Sequence, residues 1–385
     1  MSQTSQLDQV SQVYIARCAS YEREQVRRAV RRAVDALGGM RRYVRAGNKV
    51  LIKPNLLIAS LPEAAVTTHP EVLRAVIELA QEAGGTVWVG DSPGFGSTER
   101  VAEKSGIAQV CRETGAVLKG FDEAVEAAFA DGVFCKRFTL ARPVREADVI
   151  ISLAKLKTHG LTLYTGAMKN LFGCVSGLNK SQMHLRFQQR DDFAGMLVDL
   201  YSFVKPVLSI VDGVVGMEGE GPRNGRPRPI GAILAGADAV AVDAVGAAII
   251  GLDPLAVPTT RIAHTRGVGQ GNLERVDILG EPLAAAVVPG FVQSAGASVS
   301  RRRWLARLTP LLQKQLTARP VIQADKCVGC GVCQRSCPPW AITIDGGKAH
   351  IDETKCIRCY CCQELCQEDA VEMQKSWLMR RLVRV

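Results

Sequence analysis

Aromatic residues are scarce in this chain: Phe, Trp and Tyr together make up 5% of its 385 residues. So few rings offer little material for a platform on which the bases of single-stranded nucleic acid could stack. The chain also lacks a P-loop, and the run Gly94-Phe95-Gly96 has no third glycine to complete a dinucleotide-binding pattern. The sequence therefore predicts neither nucleic-acid binding nor a dinucleotide site.

Long apolar stretches are missing as well. No segment approaches the ~18 consecutive apolar residues of a transmembrane helix. Residues 1–10 are polar and lack the basic start and apolar run of a secretory signal. We therefore expect a cytoplasmic protein without a transmembrane segment.

The net charge of +10 is concentrated in two short segments. Residues 297–320 contain six basic and no acidic residues, and residues 375–385 contain four basic and no acidic residues. Apolar residues at near-helical spacing accompany both segments, beginning near Trp304 and Trp377. We expect both segments to pack internally. Docking to a partner protein and peripheral contact with an anionic membrane surface are the alternatives.

The length predicts two or three domains. Over the first 280 residues, short β-branched runs alternate with helical segments, which predicts an α/β fold with a layered, largely parallel sheet. We place this domain at 1–282, a linker with a basic amphipathic helix near 301–316 at 283–320, a small α+β domain at 321–374 and a basic amphipathic tail at 375–385.

Four local features of the large domain are specific enough to test. Thr68 and Glu71 have the spacing of a capping box before a helix, and Asp238 is placed to cap an Ala-rich helix. Residues 99–114 read as one helix. The Gly- and Pro-rich stretch 213–231 reads as a loop long enough to form a lid.

Nine of the thirteen cysteines fall between Cys327 and Cys366. A secreted disulfide scaffold would be shorter and would carry an export signal, so this density indicates metal ligation. Two runs repeat at an offset of 29 residues without insertion, which indicates a duplicated folding unit. The repeated pairs are Cys327 and Cys356, Cys330 and Cys359, Cys333 and Cys362, and Cys337 and Cys366.

The first run is the C-x2-C-x2-C-x3-C-P pattern of a bacterial-type ferredoxin, in which the fourth cysteine ligates the other cluster. We therefore expect two [4Fe–4S] clusters in a dicluster ferredoxin-like domain. A zinc site is the alternative, although zinc prefers paired C-x2-C ligands. Cys361 falls outside the repeat and, like Cys174, is expected to be a spare buried thiol. The expected ligands are Cys327, Cys330, Cys333 and Cys366 for cluster 1, and Cys356, Cys359, Cys362 and Cys337 for cluster 2.

The preceding 280 residues resemble the domain of unknown function 362 family, several members of which are fused to a two-cluster ferredoxin domain. The resemblance implies an iron–sulfur protein and no particular reaction. It rests on the motifs Lys53-Pro54-Asn55, Asp91-Ser92-Pro93-Gly94, Lys155-Leu156-Lys157-Thr158-His159, the run from Thr165 to Gly173, Asp212-Gly213, the run from Glu218 to Pro222, and Gly236-Ala237-Asp238 with Asp243.

Polar residues follow several predicted strands, and the carboxyl ends of parallel strands line one ligand-binding crevice. Lysines, a histidine and carboxylates gathered there would suit a small anionic ligand with acid and base groups at hand. Each has a structural alternative, as a paired or solvated lysine, a hydrogen-bonding histidine or a capping aspartate. His69 and His184 are expected to be cap or surface residues. The candidates are Lys157, His159 and Asp91 for catalysis, and Lys53, Asn55, Lys169, Asp212 and Glu218 for substrate binding.

The favoured hypothesis is an iron–sulfur redox protein and candidate oxidoreductase. Its two clusters would exchange low-potential electrons, at about −400 mV, with a small anionic substrate or cofactor in the α/β domain. The alternative is a pure electron-transfer carrier whose α/β domain only docks partner proteins. In a third reading the clusters are structural or sensory. The expected partners are a redox protein or the small anion.

Overall fold

The structure is a computed structural model of the chain, and it describes residues 10–177, 179–294 and 317–374. The expected basic helix near 301–316 and the basic tail 375–385 lie outside the described residues. Among the described residues, the large part runs to residue 294 and a small part, here called the cysteine module, spans 319–374.

A nine-stranded mixed sheet forms the centre of the large part. Its strands lie in the order β11-β1-β10-β9-β7-β2-β3-β4, and β8 pairs with the end of β7. The β11/β1 pair and all pairs from β9 to β4 are parallel, whereas β1/β10, β10/β9 and β7/β8 are antiparallel. The strands of the large part are β1 Ser11–Arg17, β2 Lys49–Pro54, β3 Thr86–Val89, β4 Val117–Leu118, the separate hairpin β5 Ala124–Ala128 and β6 Arg137–Ala141, β7 Val149–His159, β8 Leu163–Thr165, β9 Leu208–Glu220, β10 Asn224–Gly236 and β11 Val276–Gly280.

Helices cover both faces of this sheet. Short 3₁₀ turns lie at Met40–Arg42, Pro62–Ala64, Leu171–Cys174, Pro254–Ala256 and Leu273–Arg275. The α-helices are α1 Arg23–Ala36, α2 Pro70–Glu82, α3 Thr98–Lys104, α4 Ile107–Thr114, α5 Arg142–Glu146, α6 Ala167–Asn170, α7 Asn179–Arg186, α8 Arg190–Val204, α9 Ala239–Ile249, α10 Pro258–Thr265 and α11 Leu283–Ala286.

The core has two layers because strand side chains alternate between the faces of the sheet. In β2, Val50 and Ile52 pack with α1 and α2 on one face. The residue between them, Leu51, packs with α8 and α9 on the other face. The expected layered α/β architecture with a largely parallel sheet is confirmed.

Two local expectations for the helices were wrong, and one was right. The stretch 99–114 is two helices, because Gly106 adopts a left-handed φ of 77° between them. The cap of α2 is His69, whose Nδ1 accepts a hydrogen bond from Glu71 N at 3.2 Å, and not Thr68. Asp238 does cap α9, accepting from Val240 N at 2.8 Å.

The stretch 213–231 is not a lid loop, because β9 and β10 run through it as a long antiparallel hairpin. Pro227 and Pro229 lie where β10 pairs with β9 alone, because β1 pairs with β10 only from Ala232 to Ala235. A proline is tolerated on such a free edge because no partner there needs its missing N–H.

The cysteine module repeats its backbone as well as its sequence. Strand β12 Arg319–Ile322 pairs with β15 Val371–Gln374, and β13 Ile342–Asp345 pairs with β14 Lys348–Ile351. Each pair joins elements from both repeats, so the halves form one unit. Short helices α12 Val332–Arg335 and α13 Cys361–Leu365 begin after Gly331 and Tyr360, which share a left-handed φ of 75° and 68°.

Candidate functional site

Two cavities in the cysteine module are lined by separate sets of cysteines. The first is closed by apolar side chains that include Ile322, Ile344 and Val371. The second is closed by Pro320, Ile342 and Ile351. The thiols in the first cavity are those of Cys327, Cys330, Cys333 and Cys366, and those in the second are Cys337, Cys356, Cys359, Cys361 and Cys362.

The cysteine donor set fits an iron–sulfur cluster. Among the described residues, no three His, Cys, Asp or Glu side chains gather closely enough to ligate one metal ion. The thiols instead surround cavities, as ligands of a larger body would. Backbone N–H groups already point at the sulfurs, since Ala341 N donates to Cys337 Sγ at 3.2 Å and Ala370 N donates to Cys366 Sγ at 3.3 Å. Such bonds stabilise the negative charge of a thiolate-ligated cluster.

The cysteine pKa values fit the same interpretation. Burial raises the pKa of Cys333 to about 11, and the neighbouring Cys366 adds to the shift. Burial likewise raises the pKa of Cys362 well above its usual value, with Cys359 and Cys356 contributing. Thiolates crowded in this way require a bound cationic centre to offset their repulsion, and iron would supply it.

A third cavity, of about 380 Å³, lies between the large part and the cysteine module. We call it the junction cavity. Leu57, Phe95 and Phe172 form part of its apolar wall. Its polar lining comes from the large part through Lys53, Asn55, Asp91, Lys169, Lys180 and His184, and from the module through Arg335, Ser336, Cys361 and Glu364.

Lys53 and Asp91 form a buried ion pair at the floor of the junction cavity, with Nζ and Oδ1 2.8 Å apart. The Asp91 Oδ2 atom accepts from Leu56 N at 2.6 Å, and Lys53 Nζ donates to Asn170 Oδ1 at 3.0 Å. A Cβ at Gly173 would overlap both ion-pair side chains. The chain therefore needs glycine here to let the backbone approach the pair.

Lys157 and His159 are not among the residues that line the junction cavity. Both lie within the long strand β7, and not after it as expected. Lys157 Nζ donates to Asn55 Oδ1 at 3.0 Å and to Val66 O at 2.8 Å. Burial lowers the pKa of Lys157 well below its usual value, and the nearby cations Lys169 and Lys155 lower it further.

His159 connects the large part to the cysteine module. Its Nδ1 accepts from Leu161 N at 3.0 Å, and its Nε2 lies 3.3 Å from Glu364 Oε1. Burial lowers the pKa of His159 well below 6.5, so the ring is neutral. Because Nδ1 is an acceptor, the remaining proton is on Nε2 and faces the carboxyl group.

Two lysines present cations to the junction cavity. Within the described residues, Lys169 Nζ makes no hydrogen bond or ion pair; it lies 5.7 Å from the Phe172 ring. Burial lowers its pKa, while Glu364 and Cys361 act in the opposite direction. Lys180 Nζ donates to Ser92 Oγ at 2.9 Å, and burial lowers its pKa to about 8.

Two predicted site residues lie outside the junction cavity, and one histidine was placed wrongly. Asp212 and Glu218 are not among the residues that line the junction cavity. Asp212 sits within β9 and accepts from Lys155 Nζ at 2.9 Å, and Glu218 pairs with Arg226 at 2.7 Å. His184 is not a surface residue; it is buried and stacks on Phe193 with ring centroids 4.3 Å apart. Burial lowers the pKa of His184 to about 3.

Asp243 is a supporting residue for which the sequence pattern predicted no role. It accepts from Ala167 N at 2.6 Å and Met168 N at 3.0 Å, at the start of the helix that carries Lys169. Burial raises its pKa to about 7. Sequence reasoning also missed the cysteine module's contribution to the lining, which comes from Arg335, Cys361 and Glu364. The position of Cys361 outside the repeat could have indicated a separate role for this residue.

The fold and the cysteine cavities define an α/β protein joined to an iron–sulfur electron-transfer module. The domain of unknown function DUF362 matches residues 50–248, and a 4Fe-4S dicluster domain matches residues 319–367. A protein from Synechocystis sp. described as thylakoid-associated is 37% identical over 274 residues, covering 71% of this chain and 85% of that protein. The chain belongs to the DUF362 family.

Two solved structures show weaker likeness. The lactate racemase apoprotein from Thermoanaerobacterium thermosaccharolyticum has a TM-score of 0.39 at 11% identity, covering 61% of this chain and 55% of that one. A structural-genomics target from Thermotoga maritima has a TM-score of 0.35 at 15% identity, covering 54% and 53%. This chain thus spans about half the length of each.

Among the described residues, no helix is both long enough and apolar enough to cross a membrane. Cytoplasmic localisation stays a prediction.

Proposed function

We propose that this protein is an iron–sulfur oxidoreductase in which two [4Fe–4S] clusters exchange low-potential electrons with a small organic anion bound in the junction cavity. One cluster would be held by Cys327, Cys330, Cys333 and Cys366, and the other by Cys337, Cys356, Cys359 and Cys362. The electrons would come from a redox partner protein in the cytoplasm.

The position of Cys361 carries this proposal. Its side chain lines both the second cysteine cavity and the junction cavity. A ligand in the junction cavity would therefore lie one side chain away from a bound cluster. A docking surface for partner proteins would have no need of a cavity of about 380 Å³ at this position.

The charges of the junction cavity support an anionic ligand. Lys53, Lys169, Lys180 and Arg335 contribute four positive charges to the lining, against the two carboxyl groups of Asp91 and Glu364. Lys53 is already paired with Asp91, and Lys180 already donates to Ser92 Oγ. Lys169 has no such partner among the described residues, so it is the lysine best placed to bind an incoming carboxylate or phosphate. The apolar wall would accommodate the ligand's carbon skeleton.

Anaerobic reoxidation of the reduced clusters tests the proposal. The dithionite-reduced protein, freed of excess dithionite, is mixed with a panel of small carboxylates and phosphate esters while cluster absorbance is followed. We expect at least one compound to reoxidise the clusters, and we expect Lys169→Gln to slow this reaction at least tenfold at limiting compound concentration.

Lys136→Gln is the matched control, because Lys136 is an exposed lysine of the β5–β6 hairpin and does not line the cavity. It should react like the wild type. If no compound reoxidises the clusters, or if both variants behave alike, the junction cavity is not the electron-accepting site and the chain is a carrier.

A further inference from the structure

The two cysteine cavities occupy different positions relative to the rest of the molecule. Cys330 of the first cavity is exposed, and the adjacent Val328 is 62% exposed. The second cavity is lined by Tyr360, which belongs to the main hydrophobic core of the large part. The first cavity thus faces outward and the second faces the interior.

Helix α13 forms the wall between the second cavity and the junction cavity. Cys361 and Cys362 line the second cavity, while Cys361, Glu364 and Leu365 line the junction cavity. The helix is fixed to the large part, since Gln363 Nε2 donates to Glu220 O at 3.0 Å and Glu364 Oε1 lies 3.3 Å from His159 Nε2.

The side chain of Cys361 is hydrogen-bonded to that of Cys359, a predicted cluster ligand. A sulfur that ligates iron carries no proton, so Cys361 would be the donor of this bond in the iron-loaded protein. Hydrogen bonds to ligand sulfurs stabilise the more negative, reduced state of a cluster and so raise its reduction potential.

Resting on the function proposed above, we propose that the junction cavity communicates with only one cluster, the one held by Cys337, Cys356, Cys359 and Cys362. Cys361 and Lys169 are the residues that set this cluster's potential from the side of the cavity. The outward-facing cluster, held by Cys327, Cys330, Cys333 and Cys366, would take electrons from the external one-electron donor. Each one-electron transfer to the inner cluster would oxidise the outer one.

Lys169 supports this assignment independently of Cys361. Lys169 lines the junction cavity together with Cys361 and Glu364 of α13, and its ammonium group has no ion-pair partner within 4 Å among the described residues. A cation near a cluster stabilises the extra electron of the reduced state. Removing the cation should therefore lower that cluster's potential and leave a more distant cluster unchanged.

Potentiometric titration followed by electron paramagnetic resonance tests the proposal on the full-length protein loaded with iron. The two cluster signals are first assigned with Cys330→Ser and Cys359→Ser, each of which should alter one signal. We then expect Lys169→Gln to shift the midpoint potential of the Cys359-dependent signal downward and to leave the Cys330-dependent signal in place. Lys169→Arg, which keeps the charge, should restore the wild-type potential.

Cys361 provides the second arm of the test. Cys361→Ala should lower the potential of the same signal without loss of iron, whereas Cys361→Ser, which keeps a hydrogen-bond donor, should lower it less. Equal shifts of both signals, a shift of the Cys330-dependent signal alone, or no shift in either arm would overturn the assignment. Because this readout needs no ligand, it can succeed or fail whether or not any compound reoxidises the clusters.

Discussion

Lys53 and Asp91 show how much a single buried contact governs in this protein. Both side chains are almost fully buried, and each also bonds to backbone or amide groups around the junction cavity. Breaking a buried ion pair leaves an uncompensated charge, which costs about 3–5 kcal/mol, whereas replacing both partners by apolar residues costs much less. The pair is thus both a part of the cavity lining and a determinant of stability.

We predict that Asp91→Leu alone lowers the free energy of unfolding by about 3–5 kcal/mol, because it strands the Lys53 ammonium group in the interior. The double variant Lys53→Met with Asp91→Leu should be more stable than Asp91→Leu. The midpoint of anaerobic urea unfolding measures both effects. If the double variant loses as much free energy of unfolding as Lys53→Met and Asp91→Leu lose together, the two side chains contribute independently.

At the scale of secondary-structure elements, the cysteine module is assembled from two interleaved repeats. Strand β12 of the first repeat pairs with β15 of the second, and Gln323 N donates to Ala370 O at 2.7 Å just as Asp352 N donates to Ala341 O at 2.8 Å. This exchange brings Cys366 to the cavity of Cys327 and brings Cys337 to the cavity of Cys356. The last cysteine of each run therefore lies with the other run.

This crossed arrangement predicts a distinctive pattern of iron loss. With about eight irons in the intact chain, Cys356→Ser should remove about half. Adding Cys337→Ser should remove no more, because both residues belong to one cluster. Cys327→Ser combined with Cys356→Ser should remove nearly all the iron. Iron and sulfide analysis of anaerobically purified protein measures this.

The matched control is Cys361→Ala, which should keep the full iron content because Cys361 has no counterpart in the other repeat. Zinc in place of iron in the native protein would contradict the cluster assignment. So would equal losses from the Cys337→Ser/Cys356→Ser pair and the Cys327→Ser/Cys356→Ser pair.

At the scale of the whole molecule, the cysteine module docks on the large part through polar and apolar contacts. Arg223 pairs with Asp369 at 3.3 Å and donates to Gln367 O at 2.9 Å. In the lining of the junction cavity, Leu365 lies so close to Gly94 that a Cβ on Gly94 would come within 2.6 Å of Leu365 Cδ2. The two parts therefore enclose the cavity jointly.

We predict that Gly94→Val loosens this docking, because the added methyl groups displace Leu365 and with it helix α13. Hydrogen exchange in residues 361–365 should rise, and cluster reoxidation in air should accelerate. Adding Leu365→Ala should relieve the overlap and recover part of the protection. If Gly94→Val leaves exchange in this helix unchanged, the contact does not hold the two parts together.

The sequence by itself determined the cysteine module, because the first three cysteines of each run line one cavity and their close spacing fixes their geometry locally. It also determined the alternation of strands and helices, which follows from hydrophobic periodicity. The hairpin at 213–231 was missed because glycine and proline are typical of loops. Here both lie in a strand with a free edge, where they are tolerated.

Only the tertiary structure decided the composition of the junction cavity. Lys53 bonds to Asn170, which is 117 residues away in the sequence. His159 lies in the large part, and its neighbour Glu364 lies in the cysteine module. Which residues meet at such distances depends on strand order and on how the module docks, and periodicity encodes neither. For this reason Asp212, which also follows a predicted strand, and Glu218, which was predicted to lie on the loop 213–231, do not line the junction cavity, while Cys361 lines two cavities.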